Sequence, residues 1–119
     1  MAKIVIIGAG HVGSHCAYAL AIQNLVDEIV LLDLDAAKAT SQAEDIADGM
    51  ICIPRAAQVR SGGYADCSDA DIAVIAAGAP RTPVQMPDGR FVPPPRLPLM
   101  AESVRTMQDI VPQLMGSGF

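Results

Sequence analysis

An apolar strand that runs straight into three glycines constrains this 119-residue chain more than any other feature. Ile4, Val5, Ile6 and Ile7 are continuously apolar, and Gly8-Ala9-Gly10-His11-Val12-Gly13 follows at once. A run that is apolar at every position marks a strand covered on both faces, as in a parallel sheet. Glycines at G-x-G-x-x-G spacing after such a strand mean a backbone brought unusually close to something. In that pattern Gly8 permits the tight turn, Gly10 lets a bound group approach, and Gly13 lets the next helix pack on the strand. Val12, Cys16, Ala19 and Leu20 then recur at helical spacing, which predicts a helix to about Gln23.

The alternation continues. Glu28 to Asp33 is a second buried-type strand, and Asp35 is a good N-cap for a helix striped by Ala39, Ala43, Ile46, Ala47 and Met50, with Gly49 near its end. Ala57 to Ser61 predicts a short third strand turned by Gly62-Gly63, and Asp71 to Ala77 a fourth, closed by Gly78. Met100, Val104, Met107, Val111 and Leu114 mark a last helix, in which Pro112 should disturb the final turns. Alternating strands and helices imply an α/β layer structure with a parallel sheet. Right-handed crossovers then give the first half of a doubly wound fold, with strand order 3-2-1-4. The stretch from Pro80 to Pro98 holds seven of the nine prolines and is expected to carry no regular element. A connection that long tends to be a functional lid or disordered.

These features converge on a dinucleotide. The N-terminus of the first helix offers free N–H groups and a partial positive charge to a pyrophosphate. Asp33 lies twenty positions beyond Gly13, at the end of the second strand, where a carboxylate accepts hydrogen bonds from both ribose hydroxyls. It would repel a 2′-phosphate, so NAD is favoured over NADP. The alternative for Asp33, capping the next helix, is a task Asp35 does equally well. Small residues at Ala76-Ala77-Gly78 would let the cofactor lie across the carboxyl edge of the sheet, although tight packing alone explains them too.

Composition narrows the partners. Half of the residues are hydrophobic (51%) and few are aromatic (3%), so the core must come from Ala, Val, Ile, Leu and Met. A net charge of −5 argues against nucleic acid or an anionic membrane surface. No apolar run approaches a membrane span, and Lys3 leads directly into the first strand with no signal-peptide architecture, which makes the cytoplasm the expected location. Cys16, Cys52 and Cys67 form no C-x-x-C pair and read as reduced, buried small hydrophobes. His11 sits inside the glycine turn and His15 one turn into the helix, poor places for a catalytic base, and no metal-ligand spacing is present. Arg81, Arg90 and Arg96 in the proline-rich stretch are candidates for binding a carboxylate or polarising a carbonyl; the alternative is solvated charge on a linker. Pro80-x-x-Pro83 and Pro95-x-x-Pro98 also match polyproline recognition, a match expected by chance where proline is this dense.

Taken together, Lys3-Ile-Val-Ile-Ile-Gly-Ala-Gly-His-Val-Gly-Ser-His, Glu28-Ile-Val-Leu-Leu-Asp33, Asp71-Ile-Ala-Val-Ile-Ala-Ala-Gly-Ala-Pro-Arg81 and Met107-Gln-Asp-Ile-Val-Pro-Gln resemble the N-terminal half of the L-lactate/malate dehydrogenase family. The resemblance implies an incomplete Rossmann domain over residues 1–119, its substrate domain absent. It implies NAD held by Gly8, Gly10, His11, Val12, Gly13, Asp33, Ala77, Gly78 and Ala79. The implied reaction is hydride transfer between NAD and a small 2-hydroxy/2-oxo acid of the L-lactate/pyruvate type. Malate/oxaloacetate, or a non-catalytic dinucleotide-binding or interaction module, are the alternatives, and the complete enzyme is expected to be a homo-oligomer. Arg81 falls where the family separates its substrates, Gln suiting lactate and Arg pairing the second carboxylate of malate. Val84 then replaces an expected glycine, and about nine extra residues intervene before the pattern resumes at Arg96-Leu97-Pro98-Leu99. Arg96 is the best match to the loop arginine that polarises the substrate carbonyl, with Arg90 second. The family's catalytic His, its Asp partner and the arginine for the substrate carboxylate match nothing here, so the chain alone is expected to be inactive.

Overall fold

The computed structural model describes residues 1–78 and 81–119. Four parallel strands form the sheet: β1 (Lys3–Ile7), β2 (Glu28–Leu32), β3 (Gln58–Ser61) and β4 (Ile72–Ile75). Their order is β3-β2-β1-β4, as the alternating pattern predicts. The register pairs Val5 with Val30 and with Ala73, and all five residues of β1 are buried. Asp71 fixes one end of that register: its carboxylate accepts from the Lys3 amide at 2.8 Å, and its own amide donates to the Lys3 carbonyl at 2.9 Å. β4 lies at the sheet edge with Ile72 half exposed.

Helices α1 (His11–Gln23) and α2 (Ala36–Gly49) follow β1 and β2, and α3 (Arg96–Gly116) closes the chain. One core cluster joins Ile4, Ile6, Ile29 and Leu31 to Ala17, Ala21, Ala43 and Ile46. The other joins Val5, Ile7, Val30 and Leu32 to Cys67, Ile110 and Leu114. The sheet is thus covered on both faces, which accounts for the unbroken apolar runs. Asp35 caps α2, its carboxylate accepting from the Lys38 amide at 3.2 Å.

Several expectations are corrected. The buried positions of α1 are Gly13, Ser14, Ala17 and Ala21, while Val12 and Ala19 face outward. Small residues win that face because α1 lies tight against β1, and apolar residues all round the helix hide the choice. Ala47 of α2 is exposed. On α3, Ile110 and Leu114 face the core, whereas Met100, Val104, Met107 and Val111 stand exposed. Cys52 is exposed and Cys16 half-buried, leaving only Cys67 in the core.

The proline-rich stretch does hold regular structure. Val84–Gln85 (β5) and Phe91–Val92 (β6) form an antiparallel hairpin, closed by Met86 N–H to Arg90 C=O at 2.8 Å and Gly89 N–H to Met86 C=O at 2.9 Å. Gly89 sits at φ +82°, a conformation glycine adopts without steric cost. Pro83, Pro87 and Pro93 fall outside the paired residues, so none is asked to donate to the ladder. Pro98 lies at the third position of α3, where an N–H has no intrahelical acceptor to lose. α3 also continues through Pro112 to Gly116.

Candidate functional site

The turn after β1 is held by close contact at two of its glycines and is open at the third. Gly8 has φ +107°, and a Cβ there would come within 2.6 Å of the Ala77 nitrogen. A Cβ on Gly13 would fall onto the Gly8 carbonyl and reach Ile6 Cγ2 at 3.3 Å. A Cβ on Gly10 would find nothing nearer than the Lys38 amine at 3.9 Å. Gly8 and Gly13 therefore lock strand, turn and helix together, and the surface of Gly10 is left clear for another group. Ser14 secures the turn from inside the helix, its hydroxyl donating to the Gly10 carbonyl at 2.8 Å.

Asp33 stands at the end of β2 beside this turn. One carboxylate oxygen accepts from the Ala9 amide at 2.7 Å and the other from the Asp35 amide at 3.0 Å. Each oxygen keeps a second lone-pair direction for a further donor. Asp35, not Asp33, caps α2, which frees Asp33 from the competing task.

Asp33 lines a cleft of about 640 Å³ that runs along the carboxyl edge of the sheet. It is lined by Ile7, Gly8, Leu32 and Leu34, by Ala77 and Gly78, by Gly62, Gly63 and Tyr64, and by the α3 residues Arg105, Thr106, Asp109 and Ile110. Burial, and then the Asp109 carboxylate, push the Tyr64 phenol above its ordinary value, so it stays neutral. The wall at Gly62–Tyr64 is anchored by Asp66, whose carboxylate accepts from the Gly63 amide at 2.8 Å and from Arg60 Nη2 at 2.6 Å. Arg60 is tied in turn to Glu28 at 2.8 Å.

A second depression, of about 440 Å³, adjoins the first at Gly78 and brings together Arg81 and Arg96, with Leu97, Leu99, Met100 and Ser103. Two of the three candidate arginines are thus placed at one site. Arg90 is not among them: it stands on the hairpin, paired with Asp88 at 2.6 Å. His11 and Val12 are exposed on the first turn of α1, outside the cleft lining. His15 lies in a separate hollow with Tyr18 and Asp45. Ala79 lies outside the described residues. Sequence reasoning missed Lys38, Tyr64 and the α3 wall. Gly62-Gly63 was a usable signal for a second turn at the same sheet edge, and Lys38 sits in the first turn after the Asp35 cap.

A glycine turn at the sheet's switch point, an open Gly10 and a carboxylate at the next strand end define a dinucleotide-binding Rossmann half-domain. The comparisons make this specific: residues 2–119 match the lactate/malate dehydrogenase NAD-binding domain, and the chain belongs to that family. The L-lactate dehydrogenase of Lactococcus lactis subsp. cremoris strain MG1363 is 41% identical over 117 residues, covering 98% of this chain and 34% of that protein. L-lactate dehydrogenase 2 of Staphylococcus aureus strain Newman is 38% identical over the same shares. A ligand-bound minor L-lactate dehydrogenase from Enterococcus mundtii superposes with a TM-score of 0.85 at 36% identity, over 99% of this chain and 35% of that one. A malate dehydrogenase from Archaeoglobus fulgidus in complex with NADH gives 0.81 at 28% identity, over 97% and 36%. The chain spans about a third of the length of these relatives. No helix among the described residues is long and apolar enough to cross a membrane.

Proposed function

We propose that this chain holds the cofactor for hydride transfer between NAD and a small 2-hydroxy/2-oxo acid of the L-lactate/pyruvate type, within a complete cytoplasmic, homo-oligomeric enzyme. The observation that carries the proposal is the meeting, at Gly78, of the Asp33 cleft with the Arg81–Arg96 depression. A dinucleotide laid along the first would deliver its reactive end to the second.

In this reading Gly10 leaves room for the pyrophosphate, and the amides of His11 and Val12 at the start of α1 donate to it. The Lys38 amine adds charge beside Gly10. Asp33 accepts from the ribose hydroxyls, and Ala77 and Gly78 keep the sheet edge low. Bound NAD supplies the two-electron hydride acceptor. Arg96 polarises the substrate carbonyl and Arg81 binds a carboxylate, while Arg90, paired with Asp88 on its hairpin, stands outside this depression. The reaction also requires a group to take the hydroxyl proton. No imidazole lines the cleft or the depression among the described residues; in this reading the complete enzyme supplies that group.

A second reading, malate/oxaloacetate, is favoured by one observation: Arg81 lines the same depression as Arg96, where its guanidinium suits the second carboxylate of a dicarboxylic substrate. Calorimetric titration tests both readings. NAD should bind the chain, and Asp33→Ala should weaken it. Oxaloacetate binding the NADH-loaded chain more tightly than pyruvate would select the second reading. Absence of any NAD binding would overturn the cofactor assignment.

A further inference from the structure

His11 and His15 are the two imidazoles of the chain, and the cofactor reading uses neither ring, only the His11 backbone amide. Both side chains are exposed on the first turns of α1. Residues four apart share one face of a helix, and the two ring centres stand 6.2 Å apart with 48° between their planes.

The His15 Nδ1 meets the His11 carbonyl, an oxygen with no proton to give. Nδ1 is therefore the donor, and in the neutral ring the free lone pair lies on Nε2. A backbone carbonyl on one imidazole nitrogen is the partner that fixes the tautomer and presents the other nitrogen to a metal ion. An ion about 2.1 Å from two such nitrogens holds the ring centres between about 4.5 and 6.5 Å apart, according to the angle at the metal. The separation of 6.2 Å lies within that range. His11, exposed at the start of the helix, is free to turn its ring onto the ion.

We propose that His11 and His15 form a two-imidazole site for a late divalent transition metal of the nickel and copper type. Imidazole nitrogen suits these ions and not the hard cations, which take oxygen. No cluster of three or more His, Cys, Asp or Glu is present among the described residues, so water fills the remaining positions. The site is open, unlike a four-ligand structural zinc site. The positive end of α1 opposes a cation. Asp45 lines the same hollow as His15, with Tyr18 and Gln42, and its charge works in the other direction. The site stands whether or not a dinucleotide binds at Gly10.

The test is calorimetric titration of the tag-free chain with nickel chloride, with magnesium chloride as the hard-cation control. One nickel ion should bind per chain, and magnesium should not. His11→Gln and His15→Gln, which keep a polar side chain at each place, should each weaken nickel binding by about tenfold or more, the scale on which imidazole sites respond to damage. Cys52→Ser should leave it unchanged, since the exposed thiol is the competing soft ligand. Nickel should also raise the melting temperature of the wild type, as a ligand of the folded state does, and not that of either histidine variant. Melting without metal checks that the variants fold. Absence of nickel binding, binding lost in Cys52→Ser, or a loss confined to one of the two histidines overturns the proposal.

Discussion

The Asp33 carboxylate accepts a hydrogen bond from the Ala9 amide at 2.7 Å, tying the end of β2 to the turn that leaves β1. The same side chain therefore shapes the turn and faces the cleft. Asp33→Ala removes both functions, and Asp33→Asn separates them. An amide oxygen can still accept from Ala9, but it lacks the charge that favours two ribose hydroxyls. The dissociation constant for NAD should rise at least about tenfold in Asp33→Ala, the scale of a hydrogen bond to a charged group. Asp33→Asn should melt close to wild type and still bind NAD more weakly. Calorimetry and thermal melting on the same samples check this.

Gly10 and Gly13 predict opposite failures. A methyl group at Gly13 collides with backbone of its own turn, and that atom cannot give way as a flexible side chain would. Gly13→Ala should cost about 3 kcal/mol or more in urea unfolding, at the upper end of overpacking penalties. Gly10→Ala meets only the tip of Lys38 at 3.9 Å and should leave the fold intact. Its methyl would occupy the surface assigned to the pyrophosphate, so NAD affinity should fall while the melting temperature holds.

Acid should loosen the cleft wall through Asp66. The Arg60 guanidinium, and then the Gly63 amide, hold its carboxyl below the ordinary 3.8. A folded-state value below the unfolded one means that the unfolded chain binds the proton more readily. The contribution is therefore complete above pH 3.8 and lost as pH falls through the lower folded value. Urea midpoints measured from pH 7 to pH 3 should show an acid decline that Asp66→Asn flattens, together with a loss of about 1 kcal/mol at pH 7.

Legibility followed locality. β1, the glycine turn, Asp33 and the Asp35 cap were readable because each is decided within a few residues by strand burial, glycine contact or capping chemistry. The helix faces were not. α1 and α3 each carry apolar residues on more than one side, and only packing against the sheet selects Ala17 and Ala21 over Val12, or Ile110 and Leu114 over Val104 and Met107. The hairpin was hidden by its own punctuation. Pro87-Asp88-Gly89 is a turn signal, yet the surrounding prolines argued against strands, although each sits where no ladder bond is needed. Lys38, Tyr64 and Asp109 reach the site from three separate elements, a convergence that no spacing along the chain encodes.

The separation of binding from chemistry yields a last expectation. In the proposed reading Arg81 and Arg96, which line one depression with Gly78, hold and polarise the oxo acid, but they are permanently charged and cannot accept the hydroxyl proton. Neither histidine lines that depression, and His15 has its Nδ1 engaged by the His11 carbonyl. The 119-residue chain should therefore bind NADH and show no NADH oxidation above the enzyme-free rate with pyruvate or with oxaloacetate. Absorbance at the NADH band, followed at saturating cofactor, is the measurement. Sustained turnover by the purified chain, lost in Arg96→Ala, would mean that it contains a proton acceptor not identified among its described residues.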